Sequence, residues 1–347
     1  MKDTSHSIST QVENLLQEQK AFVFYTKPGE KHIRVIIQKN RKLYSDTSGT
    51  ESGFIFAPFD PKKPNVFFPL NESVQSSIPK PRSTPENSYK ASTAYSGKQK
   101  YIDLVTKTIR YIQTGTADKI VISKSFKIQT AKTPGKLFDA LLQHYNDAFI
   151  YLWHHPEIGL WIGASPEKLL QIKDNKLHTM ALAGTQTYGE NLVWHKKEKD
   201  EQAWVTEYIQ SQLSPFVKEM KLTETYTKKA GHLAHICCDI EATLKEPFYI
   251  YPLIKSLHPT PAVCGVPRKN AMEFILENEG YDRSFYTGYL GEIHLEKNTD
   301  LYVNLRCMQI EKECANLYVG GGITHDSKAL DEWNEIVNKM QVLGKLL

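Results

Sequence analysis

Apolar and polar residues follow two repeats along this chain, one typical of strands and one typical of helices. Residues 21–26 and 32–38 are rich in β-branched and aromatic side chains, and the KPGEK between them predicts a hairpin turn. A short helix is predicted over residues 12–20. Residues 71–98 show little periodicity and are rich in Ser, Pro and Lys, which predicts a surface loop.

The periodicity becomes stronger from Lys98, where apolar residues recur every three or four positions and predict a helix that ends at Gly115. Further helices are predicted over residues 137–145, 192–213, 247–257 and 268–278 and at the C-terminus. Strands are predicted over residues 119–129, 149–155, 159–165, 167–182, 223–244, 288–296 and 301–320. This mixture of hairpin-like strands and helices favours an α+β fold with large antiparallel sheets over a doubly wound parallel fold.

The composition argues against several classes of protein. The 347 residues carry a net charge of +4 from 43 basic and 39 acidic residues, without a polybasic block, so no nucleic-acid partner is indicated. No apolar run has the length of a membrane span, and residues 1–11 lack the apolar stretch of a signal peptide. The five cysteines are odd in number and form no CxxC pair, which favours a reduced, cytoplasmic protein without zinc.

Two pairs of glutamates stand out within predicted helices. Glu332 and Glu335 lie three residues apart and share a helix face with Lys339, and Glu198 and Glu201 repeat the spacing. A single pair of this kind is most often a solvated helix face. If both pairs meet across a cavity, however, their charges require a cation, and ligands that offer only oxygen favour Mg²⁺ or Ca²⁺.

Three glycines, Gly320–Gly322, precede the last helix, and backbone amides at a helix start favour an anionic ligand. Arg306 alternates with apolar neighbours in a predicted strand, so it needs a carboxylate or phosphate partner. A metal that bridges acidic side chains and an acidic ligand reconciles these features. Glu167, after a proline, and Lys119, at a strand start, are ordinary surface residues when each is taken alone.

Taken together and in this order, these segments resemble the chorismate-utilising enzymes, which include isochorismate, salicylate, anthranilate and aminodeoxychorismate synthases. The resemblance runs from about Gln99 to the C-terminus. It is carried by KIVISK, GASPEKL, ALAGTQ, KEKDEQ, HL, LHPTPAVCGVP, YDRSFYTGYLGE, LRCMQI, YVGGGI and DEWNEIVNK. Each motif is weak alone, but ten motifs in register are specific.

The resemblance implies two large antiparallel β-sheets packed face to face with helices outside. Residues 1–95 then form a variable N-terminal part of the sheet scaffold and residues 96–347 the chorismate-binding catalytic core, together one structural domain. It also implies Mg²⁺, with Glu201 and Glu332 as ligands and Glu198 and Glu335 nearby, acting through water. The substrate-binding residues that it implies are Ala183, Gly184, Thr185, His258, Ala262, Tyr286, Arg306, Gly320, Gly321, Gly322 and Lys339.

Three positions separate the branches of the family. Branches that add water resemble this chain in having a lysine at Lys119, where amine-adding branches have glutamine. Ala183 stands where aminodeoxychorismate synthases carry a nucleophilic lysine, and Ala262 stands where salicylate synthases tend to have threonine. The resemblance therefore implies an isochorismate synthase, an isomerase that acts without a glutaminase subunit and is expected to be a monomer.

In the mechanism that this implies, Lys119 deprotonates a water that attacks C2 of chorismate, and Glu167 protonates the departing C4 hydroxyl. Glu167 must therefore lie in a dry place that raises its pKa. Salicylate synthase, an amine-adding synthase component and a non-catalytic chorismate-binding protein remain alternatives. The sequence leaves open whether the product serves menaquinone, siderophore or salicylate biosynthesis.

Overall fold

The computed structural model describes residues 7–81, 96–189, 192–230 and 233–347. Its α-helices are α1 Ile8–Gln17, α2 Lys98–Gln113, α3 Pro134–His144, α4 Lys196–Leu213, α5 Ile250–Leu257, α6 Arg268–Asn278 and α7 Ala329–Gly344. Its strands up to residue 187 are β1 Phe22–Thr26, β2 His32–Gln38, β3 Gly53–Ala57, β4 Val66–Pro69, β5 Ser73–Pro79, β6 Lys119–Gln129, β7 Phe149–His155, β8 Gly159–Ser165, β9 Lys168–Lys173 and β10 Lys176–Thr187. The later strands are β11 Val217–Leu222, β12 Tyr226–Ala230, β13 Leu233–Leu244, β14 Gly265–Val266, β15 Tyr289–Leu295, β16 Asn298–Val303, β17 Cys307–Glu311 and β18 Cys314–Ile323.

The strands form two nine-stranded sheets, and neighbouring strands within each sheet are antiparallel. The first sheet has the order β14-β6-β18-β17-β8-β7-β1-β2-β5. The second has the order β11-β13-β10-β9-β16-β15-β3-β4, with β12 paired to β13. The predicted α+β fold with two large antiparallel sheets is therefore confirmed.

An aromatic core fills the space between the sheets. Phe56 of the second sheet stacks on Phe285 at 4.2 Å between ring centroids and lies 4.9 Å from Trp153 of the first sheet. Farther along, Phe149 stacks on Tyr302 at 4.4 Å. Each such ring contributes on the order of 2 kcal/mol through burial and more through its geometry, so the inner faces hold the two sheets together.

The helices cover the outer faces of the sheets. Helices α1, α2, α3, α6 and α7 pack with the first sheet, as Val105 of α2 and Ile336 of α7 show by joining its buried cluster. Helices α4 and α5 pack on the second sheet through Val205, Ile209 and Leu253. Among the described residues, each helix is too short or too polar to cross a membrane.

Residues of the N-terminal part take part in both sheets. Strand β1 pairs with β7 and β3 pairs with β15, so strands from before residue 96 lie beside strands from after it. Part of the predicted loop over residues 71–98 is instead the edge strand β5, which pairs with β2. The rest of that prediction, over residues 82–95, falls outside the described residues.

Three predicted long strands are divided in the structure. Residues 167–182 form β9 and the first part of β10. Residues 223–244 form a hairpin of β12 and β13. Residues 301–320 contain the end of β16 in the second sheet and then β17 and most of β18 in the first. The chain changes sheets between Val303 and Cys307, and Arg306 adopts φ 48° within that link. This positive φ is uncommon for a residue other than glycine.

Candidate active site

A cavity of about 180 Å³ lies between the ends of β6, β10, β13 and β18 and helices α4 and α7. Most of the predicted site residues line it, including both predicted catalytic groups. The predicted residues at the cavity are Lys119, Glu167, Ala183, Gly184, Glu198, Glu201, Ala262, Tyr286, Arg306, Gly320, Gly322, Glu335 and Lys339. The side chain of Thr185 is outside the described part of the structure.

Lys119 opens strand β6 and is buried. Its Nζ lies 2.8 Å from Oε1 of Glu201 on helix α4. Gly322 of the neighbouring strand makes this approach possible: a Cβ there would lie 2.5 Å from Glu201 Oε1 and 2.9 Å from Lys119 Cε. The glycine is therefore required because two functional side chains converge over its backbone.

Glu167 lies directly after β8 and is only 4% exposed. Its backbone is fixed on both sides: the amide donates to Ser165 Oγ at 3.3 Å, and the carbonyl accepts the Val303 amide at 3.0 Å. Burial raises the pKa of Glu167 to about 7, against the opposing effects of Lys119, Lys228 and a hydrogen bond with Thr260. The raised pKa agrees with the expectation for a general acid.

The two glutamates of helix α7 face different surroundings. Glu335 lines the cavity, and its Oε1 lies 2.7 Å from Lys339 Nζ. Glu332 does not line the cavity. It is buried on the other side of β18, where its Oε1 accepts a hydrogen bond from Ser327 Oγ at 2.7 Å and its Oε2 lies next to Gly321. Glu332 and Glu335, which were predicted to lie together at a metal, therefore face opposite sides of β18.

The pair on helix α4 stays together at the cavity. Glu201 contacts Lys119, whereas Oε2 of Glu198 accepts the backbone N–H of His195 at 3.1 Å and closes the helix start. An acidic side chain is favourable at this helix end. Within the described ranges, no three acidic, histidine or cysteine side chains are close enough to bind one metal ion together.

The three glycines belong to strand β18, so the prediction that they stand at a helix start is wrong. Gly320 and Gly322 face the cavity, and Gly321 faces α2 and α7, as strand alternation requires. Strand β18 pairs with β6 through Ile323 but with β17 only through Leu317, so its last residues run along the cavity. The Gly320 carbonyl accepts a hydrogen bond from Lys339 Nζ at 3.2 Å.

His258 also differs from the prediction, because it is buried outside the cavity lining. Its Nε2 lies 3.3 Å from the carbonyl oxygens of both Pro58 and Phe59, so the ring nitrogen donates to the backbone. Burial lowers the pKa of His258 to about 4. His258 therefore binds the backbone at Pro58 and Phe59, which is a structural role, and it does not line the cavity.

His235 lines the cavity, although no role was predicted for it. Its Nδ1 lies 2.7 Å from the Gly184 carbonyl and its Nε2 lies 3.1 Å from Nη2 of Arg306. A lone histidine in an apolar strand carries no signal of such a role, because the facing residues come from distant segments. Tyr286 completes this wall and stacks on Tyr318 at 5.4 Å.

Comparisons with known proteins identify the family of the chain. A family model described as "Chorismate binding enzyme" matches residues 68–347. Anthranilate synthase component 1 of Aquifex aeolicus is 26% identical over 263 residues, which is 72% of this chain and 53% of that protein. The salicylate biosynthesis isochorismate synthase of Pseudomonas aeruginosa is 28% identical over 255 residues, which is 70% of this chain and 53% of that protein.

The chain thus spans about half the length of these curated relatives. Among solved structures, the menaquinone-specific isochorismate synthase MenF of Escherichia coli is similar with a TM-score of 0.82. At 20% identity, and covering 100% of this chain and 92% of that one, this similarity shows a shared fold. The family model covers most of the chain, and the chain therefore belongs to the chorismate-binding enzyme family.

Proposed function

We propose that this protein is an isochorismate synthase, which converts chorismate into isochorismate. The single observation that carries the proposal is the pairing of Lys119 and Glu167 at one cavity. One supplies an amine, and the other is a carboxyl group whose pKa of about 7 leaves it protonated in part at neutral pH. Acid and base work by positioned side chains contributes about 10²–10⁴-fold to a rate.

The reaction needs one base and one acid. Lys119 takes a proton from a water molecule as its oxygen bonds to C2 of the ring. Both ring double bonds shift by one position, the bond between C4 and its hydroxyl breaks, and Glu167 gives that hydroxyl its proton, so that one water enters and one leaves. No electrons are gained or lost, so the balance requires no redox cofactor.

Chorismate carries two carboxylates, and besides Lys119 the cavity is lined by the cationic side chains of Arg306 and Lys339. We assign Arg306 to the carboxylate of the enolpyruvyl group, because a planar guanidinium matches a carboxylate with two parallel hydrogen bonds. Lys339 lines the same cavity and donates to the Gly320 carbonyl. Tyr286 lines the same wall. The small side chains of Ala183 and Ala262 leave room for the ring.

The acidic side chains at the cavity fit Mg²⁺. Glu201, Glu335 and Glu198 offer oxygen ligands only, and Mg²⁺ typically binds one or two carboxylates, keeps several waters and takes further oxygens from the substrate. We therefore propose Glu201 and Glu335 as the residues that hold it, with Glu198 nearby. When bound, the ion neutralises the charge of the ring carboxylate. Glu332, which lies behind β18, has no part in this assignment.

Three alternatives are less well supported. An amine-adding synthase is disfavoured by Lys119, although relatives of the chain include proteins named anthranilate synthase component 1. Salicylate synthase is disfavoured by Ala262. A non-catalytic binding protein is disfavoured because the cavity contains both an acid and a base. We also propose that this protein is a cytoplasmic monomer that acts without a glutaminase subunit. Its product would serve menaquinone or siderophore biosynthesis.

Identification of the product decides among these activities. The purified chain is incubated with chorismate and Mg²⁺, without ammonium, and the products are separated chromatographically. We expect isochorismate from the wild-type protein and none above background from Lys119→Gln or Glu167→Gln. The exposed residues Lys127 and Glu296 supply matched controls, Lys127→Gln and Glu296→Gln. Salicylate with pyruvate, or anthranilate after ammonium is added, would overturn the assignment.

A further inference from the structure

We propose that His235 is a positioning residue, a neutral imidazole that fixes the guanidinium of Arg306 for the substrate carboxylate. The inference rests on the proposed function, because it concerns how the same cavity holds its dicarboxylate. Neither the family resemblance nor the sequence pattern assigns His235 any task. Its evidence is a hydrogen-bonded chain from the Gly184 carbonyl through His235 to Arg306.

The partners determine which nitrogen of His235 carries the proton. Arg306 can only donate, so Nε2 of His235 must accept its Nη2–H across 3.1 Å. Nδ1 then bears the hydrogen and donates it to the Gly184 carbonyl at 2.7 Å. A second ring proton would set two donors against each other. The ring is therefore held as one neutral tautomer whose lone pair points at the guanidinium.

The surroundings maintain this state. His235 is buried and Arg306 is half-buried, and burial together with the Arg306 charge lowers the pKa of His235 to about 3. The ring thus stays an acceptor over the whole range in which enzymes of this kind work. We conclude that His235 is a fixed element of the site and not a pH switch.

A bulge in β10 supplies the anchor for the ring. The register between β10 and β13 shifts between Ala183 and Gln186, and Gly184 within the bulge has φ +67°. A Cβ at Gly184 would lie 3.0 Å from Cβ of Glu198 on helix α4. Glycine therefore allows both the backbone turn that brings its carbonyl to His235 and the close approach of the acidic helix.

Arg306 lies in the short link where the backbone passes from the second sheet to the first, with φ 48°, and its carbonyl accepts the Ala164 amide of β8 at 3.1 Å. A side chain with several rotatable bonds loses entropy when it is held in one orientation. The partly buried hydrogen bond to His235 orients the guanidinium before the substrate binds, so less of that entropy is lost on binding.

Two substitutions separate the two ends of the ring. His235→Asn retains a donor near the Nδ1 position for the Gly184 carbonyl but has no atom at the Nε2 position. His235→Gln reaches the Nε2 position with an acceptor oxygen and loses the donor. We expect His235→Asn to raise KM for chorismate by about 10-fold, the scale of one hydrogen bond to a charged group, with kcat changed less than about 3-fold. His235→Gln should recover most of the KM.

A double-mutant cycle tests whether His235 acts through Arg306. We expect His235→Asn to add less than about 2-fold to KM in an Arg306→Ala background, because residues that act as a unit are not additive. Additive losses, a kcat effect as large as the KM effect, or equal losses in the Asn and Gln variants would overturn the inference.

The same series separates this inference from the proposed reaction. If the wild-type chain binds chorismate without forming isochorismate, the proposed function fails, and the dissociation constants of the same variants still test His235. The expected order is then weakest binding for His235→Asn and near-normal binding for His235→Gln. If the wild-type chain binds no chorismate at all, both the function and the inference are overturned.

Discussion

Two buried glutamates of this structure, Glu292 and Glu167, have very different surroundings. Glu292 on β15 is 1% exposed and is surrounded by partners: Tyr25 donates to it at 2.7 Å, Lys27 at 2.6 Å, and Arg34 lies 3.4 Å away. Glu167 is nearly as buried, but its pKa is raised to about 7. Burial alone therefore does not make a catalytic acid. The difference lies in how much partner charge accompanies the carboxyl group.

The comparison explains why only one of these residues suits chemistry. A carboxylate enclosed by an ammonium, a guanidinium and a hydroxyl has its oxygens occupied by hydrogen bonds and ion pairs and contributes to structure. A carboxyl group at the wall of a cavity, with its cations farther away, can gain and lose a proton near neutral pH. The predictions below test this division of roles.

The largest expected effect is on turnover. Glu167→Gln removes the proton donor and retains the shape of the side chain, so isochorismate formation should fall by about 10²–10⁴-fold. At pH 4 the thermal midpoint should change little, because a neutral amide then replaces a carboxyl group that is largely protonated in both the folded and the unfolded chain. Initial rates and a melting curve on the same sample provide the two readouts. Full activity in this variant would end the assignment of Glu167 as the acid.

The second largest expected effect is a loss of stability, without a loss of catalytic activity, on substitution of Glu292. Glu292→Ala leaves the half-buried Lys27 and Arg34 without this partner, so the free energy of unfolding should fall by about 3 kcal/mol. Turnover per folded molecule should be retained, as measured below the unfolding transition. Glu296→Ala, an exposed control on the same hairpin, should cost less than about 0.5 kcal/mol. A Glu292 variant that is stable but inactive would reverse the comparison.

Both the stability of the fold and the rate should fall as the pH rises, because both depend on the proton of Glu167. The folded chain holds the Glu167 proton more tightly than the unfolded chain, because the pKa rises from 4.5 to about 7. The stabilisation is therefore complete below pH 4.5 and is lost as the pH rises to about 7, in total about 3 kcal/mol. The rate should also fall above pH 7 as the acid form disappears.

Urea titrations from pH 4 to 8 measure the stability part of this effect, with Glu167→Gln as the reference. We expect the difference in unfolding free energy between the two proteins to depend on pH in that interval. A difference that is constant with pH would show that Glu167 titrates normally.

The smallest expected effect concerns two neighbouring glycines. Gly322→Ala places a Cβ 2.5 Å from Glu201 Oε1 and 2.9 Å from Lys119 Cε, so both side chains must move. The rate should fall about 10-fold or more, because small misplacements of catalytic groups are costly. Gly321→Ala is the matched control: its Cβ meets atoms at 3.4 Å or beyond, on the other face of the strand. Equal rates for the two variants would contradict the convergence of functional groups over Gly322.

The sequence predicts the regular strands of the first sheet well, because β6, β7 and β8 are apolar runs with clear ends. It misses β3 and β4, whose residues are buried on both faces and therefore lack alternation. It also misses β5, an exposed edge strand whose composition is that of a loop. These strands are defined by their neighbours in the sheet and not by their own residues.

The site shows the same limit. Motifs in register identify Lys119, Glu167 and Arg306, and the structure brings all three to one cavity. The spacing of Glu332 and Glu335 places both on one helix, but only packing against β18 decides that one of them faces the cavity. His235 could not be predicted, since its partner Arg306 is distant in sequence and its anchor is a bulge.

The link between Val303 and Cys307 has a mechanical consequence. Four Cα steps extend to about 14 Å at most, and packed sheets lie about 10 Å apart, so this stretch of chain is a short tether between the layers. The sheets cannot move apart beside the cavity by more than a few ångströms unless hydrogen bonds at the strand ends break. Any widening of the cavity for a ligand must therefore come from the surrounding helices and turns, while the spacing of the two walls stays constant.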